Sequence, residues 1–384
     1  MHAFEFYAPT RIVFGKGSIE RLSTLVSSDT PLMLLYGGGS IRKNGVYDAV
    51  LSALPAAPAV IFGGIEPNPD YETCLKAVAE ARRHDVGFVL AVGGGSVLDA
   101  AKFIAAAVVW QGDPWDIFAD RGASVADALP LGDVLTLPAT GSEMNKNSVI
   151  SRRATTDKVA FMSPHVFPRF SILDPETTFS LPPRQTANGI VDACAHVFEQ
   201  YMTYPVNAPL QDRQAEAVLL TLIEEGPKAL KHPSDYDVRA NIMWAATCAL
   251  NGSLSCGVPG DWSTHMIGHE LTALYGIDHA QSLAVVMPGV WRHQREAKRA
   301  KLLQYARRVW KLTDGTDDER IEAAIVRTEA FFTSLGVGVR LSDYGIGDDA
   351  PQRVARNQGR RNRILGEHEN IGTAEIKAIL ETRR

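Results

Sequence analysis

No single charge dominates the chain: 39 Lys and Arg face 44 Asp and Glu over 384 residues, a formal net charge of −5. Such a balance offers no broad basic surface to neutralise a phosphate backbone, which excludes general nucleic-acid binding. Cysteine is scarce. Cys74, Cys194, Cys248 and Cys256 are scattered with no Cys-x-x-Cys spacing, which excludes a disulfide framework and points to reduced thiols in a cytoplasmic protein. Long apolar runs are missing too, so no membrane span is expected; the richest stretch, around Phe103-Ile104-Ala105, is broken by Asp99 and Lys102. The opening Met1-His2-Ala3-Phe4-Glu5-Phe6 lacks the zones of a signal peptide and alternates as a strand does. The basic clusters Lys298-Arg299-Lys301 and Arg360-Arg361-Arg363 fall at helical spacing and read as solvated faces.

What is present divides into two halves. The first alternates short apolar runs with helical patterns, the signature of an α/β unit with a parallel sheet. Leu32–Tyr36, Val86–Val92, Val134–Leu137 and Phe170–Leu173 read as strands, and Leu181-Pro182-Pro183 marks a boundary. Beyond it the strand signals fade. Segments 184–203, 207–230, 237–252, 261–275, 281–312 and 317–335 have helical length and period. The expected architecture is therefore a Rossmann-like domain over 1–181, followed by an all-helical domain over 182–384.

Strand ends in the first half carry small residues where helices should begin. Gly93-Gly94-Gly95-Ser96 follows one strand, Gly37-Gly38-Gly39-Ser40 another, and Pro138-Ala139-Thr140-Gly141-Ser142 a third. Glycine there lets backbone N–H groups approach a phosphate at a helix N-terminus. One such loop is equally a tight turn, but their recurrence favours a dinucleotide site. The pattern is neither G-x-G-x-x-G nor a P-loop. The first loop has no acid to hold a ribose 2′-hydroxyl and continues Ser40-Ile41-Arg42-Lys43, which favours NADP over NAD.

The second half places polar residues on apolar helices. In Asn188–Tyr201, Asp192, His196 and Glu199 interrupt an otherwise apolar helix at i, i+4 and i+7, so they share one stripe. A buried carboxylate is costly unless paired or bound to a cation, and Asp and His four apart can ligate one divalent ion. A second helix, begun at Asp261, carries His265 and His269, and His279 follows in the next loop. The histidines and Asp192 exceed a tetrahedral set by one ligand, and spacing leaves open whether His269 or His279 is the spare.

Together, Gly94-Gly95-Ser96-x-x-Asp99, Pro138-x-Thr140-Gly141-Ser142-Glu143, Asp192-x-x-x-His196 and His265-x-x-x-His269 with His279 resemble the iron-containing (group III) alcohol dehydrogenase family. The likeness covers nearly the whole chain and weakens after about Gly345. Tyr36-Gly37-Gly38-Gly39-Ser40, Gly64-Ile65-Glu66-Pro67-Asn68-Pro69 and Gly268-His269-Glu270-Leu271 resemble its branch of NADPH-dependent butanol dehydrogenases and broad-range aldehyde reductases. His279-Ala280 follows that branch rather than the wider family, which has His-Gly. Met144, Lys146 and Asn147 depart from the relatives.

The resemblance implies a dehydroquinate synthase-like architecture, with a cleft between its domains, that reduces short to medium-chain aldehydes or oxidises primary alcohols. It implies one Fe²⁺ or Zn²⁺ held by Asp192, His196, His265 and His279, with His269 beside nicotinamide and substrate. Gly37, Gly38 and Ser40 would meet the 2′-phosphate of NADP(H), and Gly94, Gly95 and Ser96 the pyrophosphate. Asn68, Asp99, Thr140 and Lys158 would line the cofactor site, the last three near its nicotinamide end, and His269 and Lys158 would be the catalytic candidates. It also implies a homodimer paired through the N-terminal strand, to about Phe14. The alternatives are a polyol-phosphate dehydrogenase or dehydroquinate-synthase-like enzyme, for which Lys146 and Lys158 would have to hold an anionic substrate, and a non-catalytic nucleotide-binding protein.

Overall fold

The apolar runs that end in glycine become strands of one parallel sheet. A computed structural model describes residues 1–361 and 363–384. The strands are β1 (Arg11–Phe14), β2 (Leu32–Tyr36), β3 (Val60–Phe62), β4 (Phe88–Gly94), β5 (Leu131–Leu137) and β8 (Phe170–Leu173). They lie in the order β1-β8-β5-β4-β2-β3. Strands buried on both faces read as continuous apolar runs. Met33, Leu35, Val89, Ala91 and Leu135 turn to one face, where they join Cys74, Ala77 and Phe103. Leu34, Leu90, Val92 and Val134 turn to the other, where they meet Leu22, Ile41, Tyr47 and Val50. The helices on these faces are α1 (Leu22–Leu25), α2 (Ser40–Lys43), α3 (Val46–Ala53), α4 (Tyr71–Arg83) and α5 (Gly95–Val109).

The strand order reverses between β2 and β4: the chain runs outward from β2 to β3, then returns to β4 on the other side. This is the switch point of an open α/β sheet, where strand carboxyl ends leave room for a ligand. The Gly37–Ser40 and Gly93–Ser96 loops both lie there.

An antiparallel hairpin, β6 (Asn147–Arg152) and β7 (Asp157–Met162), is a strand pair absent from the expectations above, as is the short β3. Its alternation of buried Ser148, Ile150, Lys158 and Phe161 is partly polar, so no apolar stripe announces it. The opening residues form no strand. The edge strand begins at Arg11, and among the described residues nothing pairs residues 1–6 into a sheet.

The helical part contains α6 (Pro183–Tyr201), α7 (Pro209–Lys231), α8 (Tyr236–Ala249), α9 (Ser263–Tyr275), α10 (His279–His293), α11 (Arg299–Arg308), α12 (Asp317–Ser334), α13 (Ala350–Gly359) and α14 (Thr373–Glu381). By packing, Tyr7–Leu181 and Pro233–Met243 form one compact unit, and Met1–Phe6, Pro182–His232 and Trp244–Arg384 the other. Residues 1–6 and 233–243 thus lie with the unit opposite to the one that their position in the chain assigns.

Two expectations are corrected in the helical unit. The long helix expected over 281–312 is broken between α10 and α11, where Lys298 turns inward. Lys298 is buried, its Nζ 2.7 Å from both Asp261 and Glu367. The cluster around it is therefore not a solvated face, since Lys301 is also buried and paired with Asp212. In the second cluster Arg361 pairs with Glu270 at 2.7 Å.

The tail beyond Gly345 is integral to the core. Ile371, Ile376, Ile379 and Leu380 join Ile267, Val286 and Val290 in one cluster. Arg383 is 1% exposed. It donates to Val285 O at 3.0 Å and Val339 O at 2.7 Å, and meets Glu329 Oε1 at 2.6 Å. Burial pushes the Glu329 carboxyl up, but Arg292, bonded to both its oxygens, and the charge of Arg383 leave it below its ordinary value. A depressed carboxylate stabilises the fold fully above its unfolded pKa, and that stability is lost as pH falls through the folded value. Glu329→Gln should therefore lower the melting temperature at neutral pH, and the gap to the parent should narrow as pH falls below the unfolded carboxylate value of about 4.3. A gap independent of pH in thermal melts would contradict the role assigned to its charge.

Candidate functional site

In the helical unit, α6 carries Asp192, His196 and Glu199, all buried. Helical spacing puts them on one stripe, and α9 and α10 pack against α6. His265 and His269 project from α9. His279 is the first residue of α10, one position inside the helix rather than in the preceding loop. Its place is fixed by Asp278, the N-cap of a capping box with Gln281. Asp278 Oδ2 in turn accepts from Asn188 of α6 at 2.7 Å and pairs with Arg184 at 2.7 Å. Asp261, expected to cap α9, lies one residue further out; Trp262 holds the cap position at φ 62. Asp261 still accepts the Ser263 N–H at 3.1 Å.

Among the described residues, Asp192, His265 and His279 form the group whose ligand atoms all lie within 4.8 Å of one another. His279 Nε2 is 3.6 Å and His196 Nε2 3.9 Å from Asp192 Oδ1. His196 lies at the side of the group, its ring stacked on His265 with centroids 4.8 Å apart. His269 also lies outside it, its ring 5.2 Å from His279 and 6.3 Å from His265. Asp192 Oδ1 is buried and accepts no hydrogen bond. Separations of 3.6 and 3.9 Å are long for hydrogen bonds. They suit two ligands of one ion, since bonds of about 2.0–2.1 Å in a tetrahedron put neighbouring ligands ~3.4 Å apart. A carboxylate with several imidazoles is the donor set of a borderline divalent cation. The residues fit a metal ion.

In the α/β unit, β4 shifts register at Gly93/Gly94 as it enters α5. A Cβ on Gly94 would lie 2.9 Å from Leu137 Cβ, and one on Gly95 2.4 Å from Thr140 Oγ1 and Cγ2. These glycines let β4, the Thr140 turn and α5 close on one another. Gly38 differs: a Cβ there would meet nothing within 4 Å, so its smallness leaves open space beside the loop. Arg42 is bound back onto the sheet end, donating to Tyr36 OH at 2.9 Å and lying 4.2 Å over the Tyr47 ring.

The remaining cofactor candidates are joined by hydrogen bonds. Ser96 Oγ accepts the Asn68 N–H at 3.2 Å, and Lys158 Nζ donates to Asn68 Oδ1 at 2.8 Å. Asp99 Oδ1 accepts from Ser142 Oγ at 2.7 Å, Asp99 Oδ2 accepts the Val149 N–H at 3.0 Å, and Thr140 Oγ1 accepts the Ser142 N–H at 3.2 Å. Burial pushes the Asp99 carboxyl up, against the pull of Lys102 and these donors. Lys102 was read from sequence only as an interruption of an apolar run. It is fully buried and donates to Asn145 O at 2.8 Å and Asn147 O at 2.9 Å, tying the 140–147 turn to α5.

The first half of the chain, residues 9–175, matches the family model of iron-containing alcohol dehydrogenase, and residues 186–383 match the C-terminal model of the Fe-containing alcohol dehydrogenase family. The chain belongs to the iron-containing alcohol dehydrogenase family. It is 55% identical over 387 residues to the NADPH-dependent aldehyde reductase YqhD of Escherichia coli, covering 100% of both chains. The crystal structure of E. coli YqhD superposes with a TM-score of 0.98 at 54% identity, covering 100% of this chain and 99% of that one. The NADH-dependent butanol dehydrogenase A of Thermotoga maritima superposes with a TM-score of 0.95 at 34% identity, covering 100% and 99%.

The close fit around Gly95 yields a test. Gly95→Ala forces Thr140 to move, an overpacking strain of about 1–3 kcal/mol. If this turn holds the cofactor, that strain should weaken NADPH binding in a fluorescence titration while metal content stays at the parent's level. Unchanged NADPH affinity would remove the loop from the cofactor site.

Proposed function

We propose that the protein is an NADPH-dependent, divalent-metal-dependent aldehyde reductase and alcohol dehydrogenase for short to medium-chain aldehydes and primary alcohols. The observation that carries this reading is the buried Asp192 carboxylate among imidazoles of α6, α9 and α10, its Oδ1 accepting no hydrogen bond. Full-length similarity to an NADPH-dependent aldehyde reductase supports the choice of reaction and cofactor.

In this reading Asp192, His196, His265 and His279 hold the ion, Fe²⁺ or Zn²⁺. When bound, the ion supplies Lewis-acid polarisation of a carbonyl oxygen and NADPH supplies the hydride. Asp192 contributes the negative charge that offsets the cation within a helix buried on every side. His269, adjacent to the ligands but outside their group, holds the proton exchanged with the product oxygen. Gly94, Gly95 and Ser96 present backbone N–H groups at the start of α5 to the pyrophosphate. Gly37, Gly38 and Ser40 leave space at the start of α2 for the 2′-phosphate, with Arg42 held nearby. Asn68, Asp99, Thr140 and Lys158 form the hydrogen-bonded wall of the cofactor site. Lys158 is committed to Asn68 and Lys146 is exposed, so neither supports a phosphorylated-substrate reading.

NADPH consumption with butanal should be lost on chelation and restored by Fe²⁺ or Zn²⁺. His269→Ala should lower kcat by about 10²-fold or more while retaining bound metal. Chelation-insensitive turnover would remove the metal from the chemistry. Metal loss in His269→Ala would instead make His269 a ligand.

The homodimer belongs to the same reading. Met1, Phe4, Phe6 and Tyr7 are 53%, 54%, 50% and 61% exposed in the single chain, and β1 is an edge strand. Exposed aromatics in the segment that leads into an edge strand favour pairing with a second copy. Light scattering should give twice the chain mass, and removal of residues 1–7 should shift it toward the monomer; a monomeric parent would overturn the pairing. No helix among the described residues is long and apolar enough to cross a membrane. All four cysteines are thiols, Cys74, Cys194 and Cys256 buried, which supports a reducing, cytoplasmic setting.

A further inference from the structure

The ligand set leaves one member of the α6 stripe without a role. Glu199 follows His196 by one turn and is 4% exposed. Its Oε1 lies 2.8 Å from the backbone N of His265 and 2.9 Å from the same residue's Nδ1. The first contact decides the second. A peptide N–H only donates, so Oε1 is an acceptor, and a carboxyl oxygen already accepting one N–H is placed to accept another. With Glu199 ionised, the ring proton therefore sits on Nδ1 and the lone pair on Nε2. The opposite tautomer would then set two lone pairs against each other at 2.9 Å.

The arrangement is braced on both sides. Glu199 O accepts the Asp261 N–H at 2.9 Å. The Asp261 carboxylate accepts from Ser263 N at 3.1 Å and meets Lys298 Nζ at 2.7 Å. Lys298 also binds Glu367 at 2.7 Å and Met202 O at 2.6 Å, so the first turn of α9 is tied to the end of α6 and to the tail. Trp262, in the left-handed region at φ 62, sets its ring edge-on to His265 with centroids 5.3 Å apart. A bulky residue adopts that backbone only when its surroundings enforce it.

We infer that Glu199 is a positioning residue for the metal centre: it holds the proton on His265 Nδ1 and fixes the ring so that Nε2 is presented to the ion. This rests on the ligand assignment proposed above. Glu199 itself contacts His265 and lies outside the group formed by Asp192, His265 and His279. A carboxylate behind a ligating imidazole fixes the tautomer and raises ligand basicity, and its loss weakens metal affinity by about 10–100-fold.

The test compares Glu199→Ala, Glu199→Gln and His265→Ala with the parent in Co²⁺ binding, followed by visible absorption against a competing chelator. NADPH fluorescence reports whether each variant is folded. Glu199→Ala should bind Co²⁺ at least about 10-fold more weakly with NADPH affinity unchanged. Glu199→Gln, whose amide oxygen can accept both N–H groups, should recover most of that loss. Parent-like Co²⁺ affinity in Glu199→Ala, with binding abolished in His265→Ala, overturns the positioning role and leaves the metal site standing. Parent-like affinity in His265→Ala overturns the ligand assignment and this inference with it. Should Glu199→Ala not fold, the tautomer is read directly in ¹⁵N-histidine-labelled parent protein, with His265 assigned by its absence in His265→Ala. A proton on Nε2 overturns the inference.

Discussion

Every residue of α6 from Thr186 to Tyr201 is buried, and one of them is an aspartate whose Oδ1 accepts no hydrogen bond. An unpaired charge in such a place costs several kcal/mol, and the helical unit is arranged around relieving it. α9 and α10 pack on α6 and bring His265 and His279 to the carboxylate, while His196 rises from α6 itself. Asn188 and Arg184, one turn and two turns before Asp192, hold the Asp278 cap that starts α10 at His279. The helix that supplies the carboxylate thus also places an imidazole beside it. In the proposed reading, an ion bound here would add to the stability of this unit.

The α/β unit solves a different problem, the close approach of three chain segments at the sheet's carboxyl end. Gly94 and Gly95 bring β4 against Leu137 and Thr140, and Lys102 and Asp99 then fix the turn after β5 from beneath. Gly38 has no such neighbour. Smallness at Gly94 and Gly95 serves the chain's own packing, whereas at Gly38 it leaves space for something outside the chain.

Much of this was legible from residues because it rests on local rules. Leu32–Tyr36 and Phe170–Leu173 are short, mostly apolar runs, and the strands occupy those positions. The helix spacing of Asp192 and His196, and of His265 and His269, likewise follows from period alone. What period cannot give is the pairing of segments far apart. Whether His269 or His279 joins Asp192 depends on where Asp278 caps a helix, and that depends on Asn188, 90 residues earlier. The β6–β7 hairpin was hidden because Ser148 and Lys158 are buried polar residues serving Asp99 and Asn68. Lys298 looked like a solvated charge for the same reason: its partners Asp261 and Glu367 lie 37 residues before it and 69 after it.

Buried polar residues of this chain therefore fall into classes that composition cannot separate and geometry can. Lys298 and Arg383 have their charges met inside the chain, by Asp261 and Glu367 in one case and Glu329 in the other. Such groups brace the fold and ask for nothing more. Asp133 also has a buried oxygen without a hydrogen bond, but burial pushes its carboxyl well above the ordinary range, and its other oxygen accepts from Ser171 Oγ at 2.6 Å. Asp192 belongs with neither. It is surrounded by imidazoles too distant for hydrogen bonds and near enough to share an ion, and the carboxylate that follows it in the stripe, Glu199, is turned away to grip His265 from behind. A stripe of three polar residues on one buried helix thus splits into two, Asp192 and His196, whose side chains approach each other to 3.9 Å, and one, Glu199, that is bonded to His265, and it is the direction each side chain takes, more than its chemical type, that separates them.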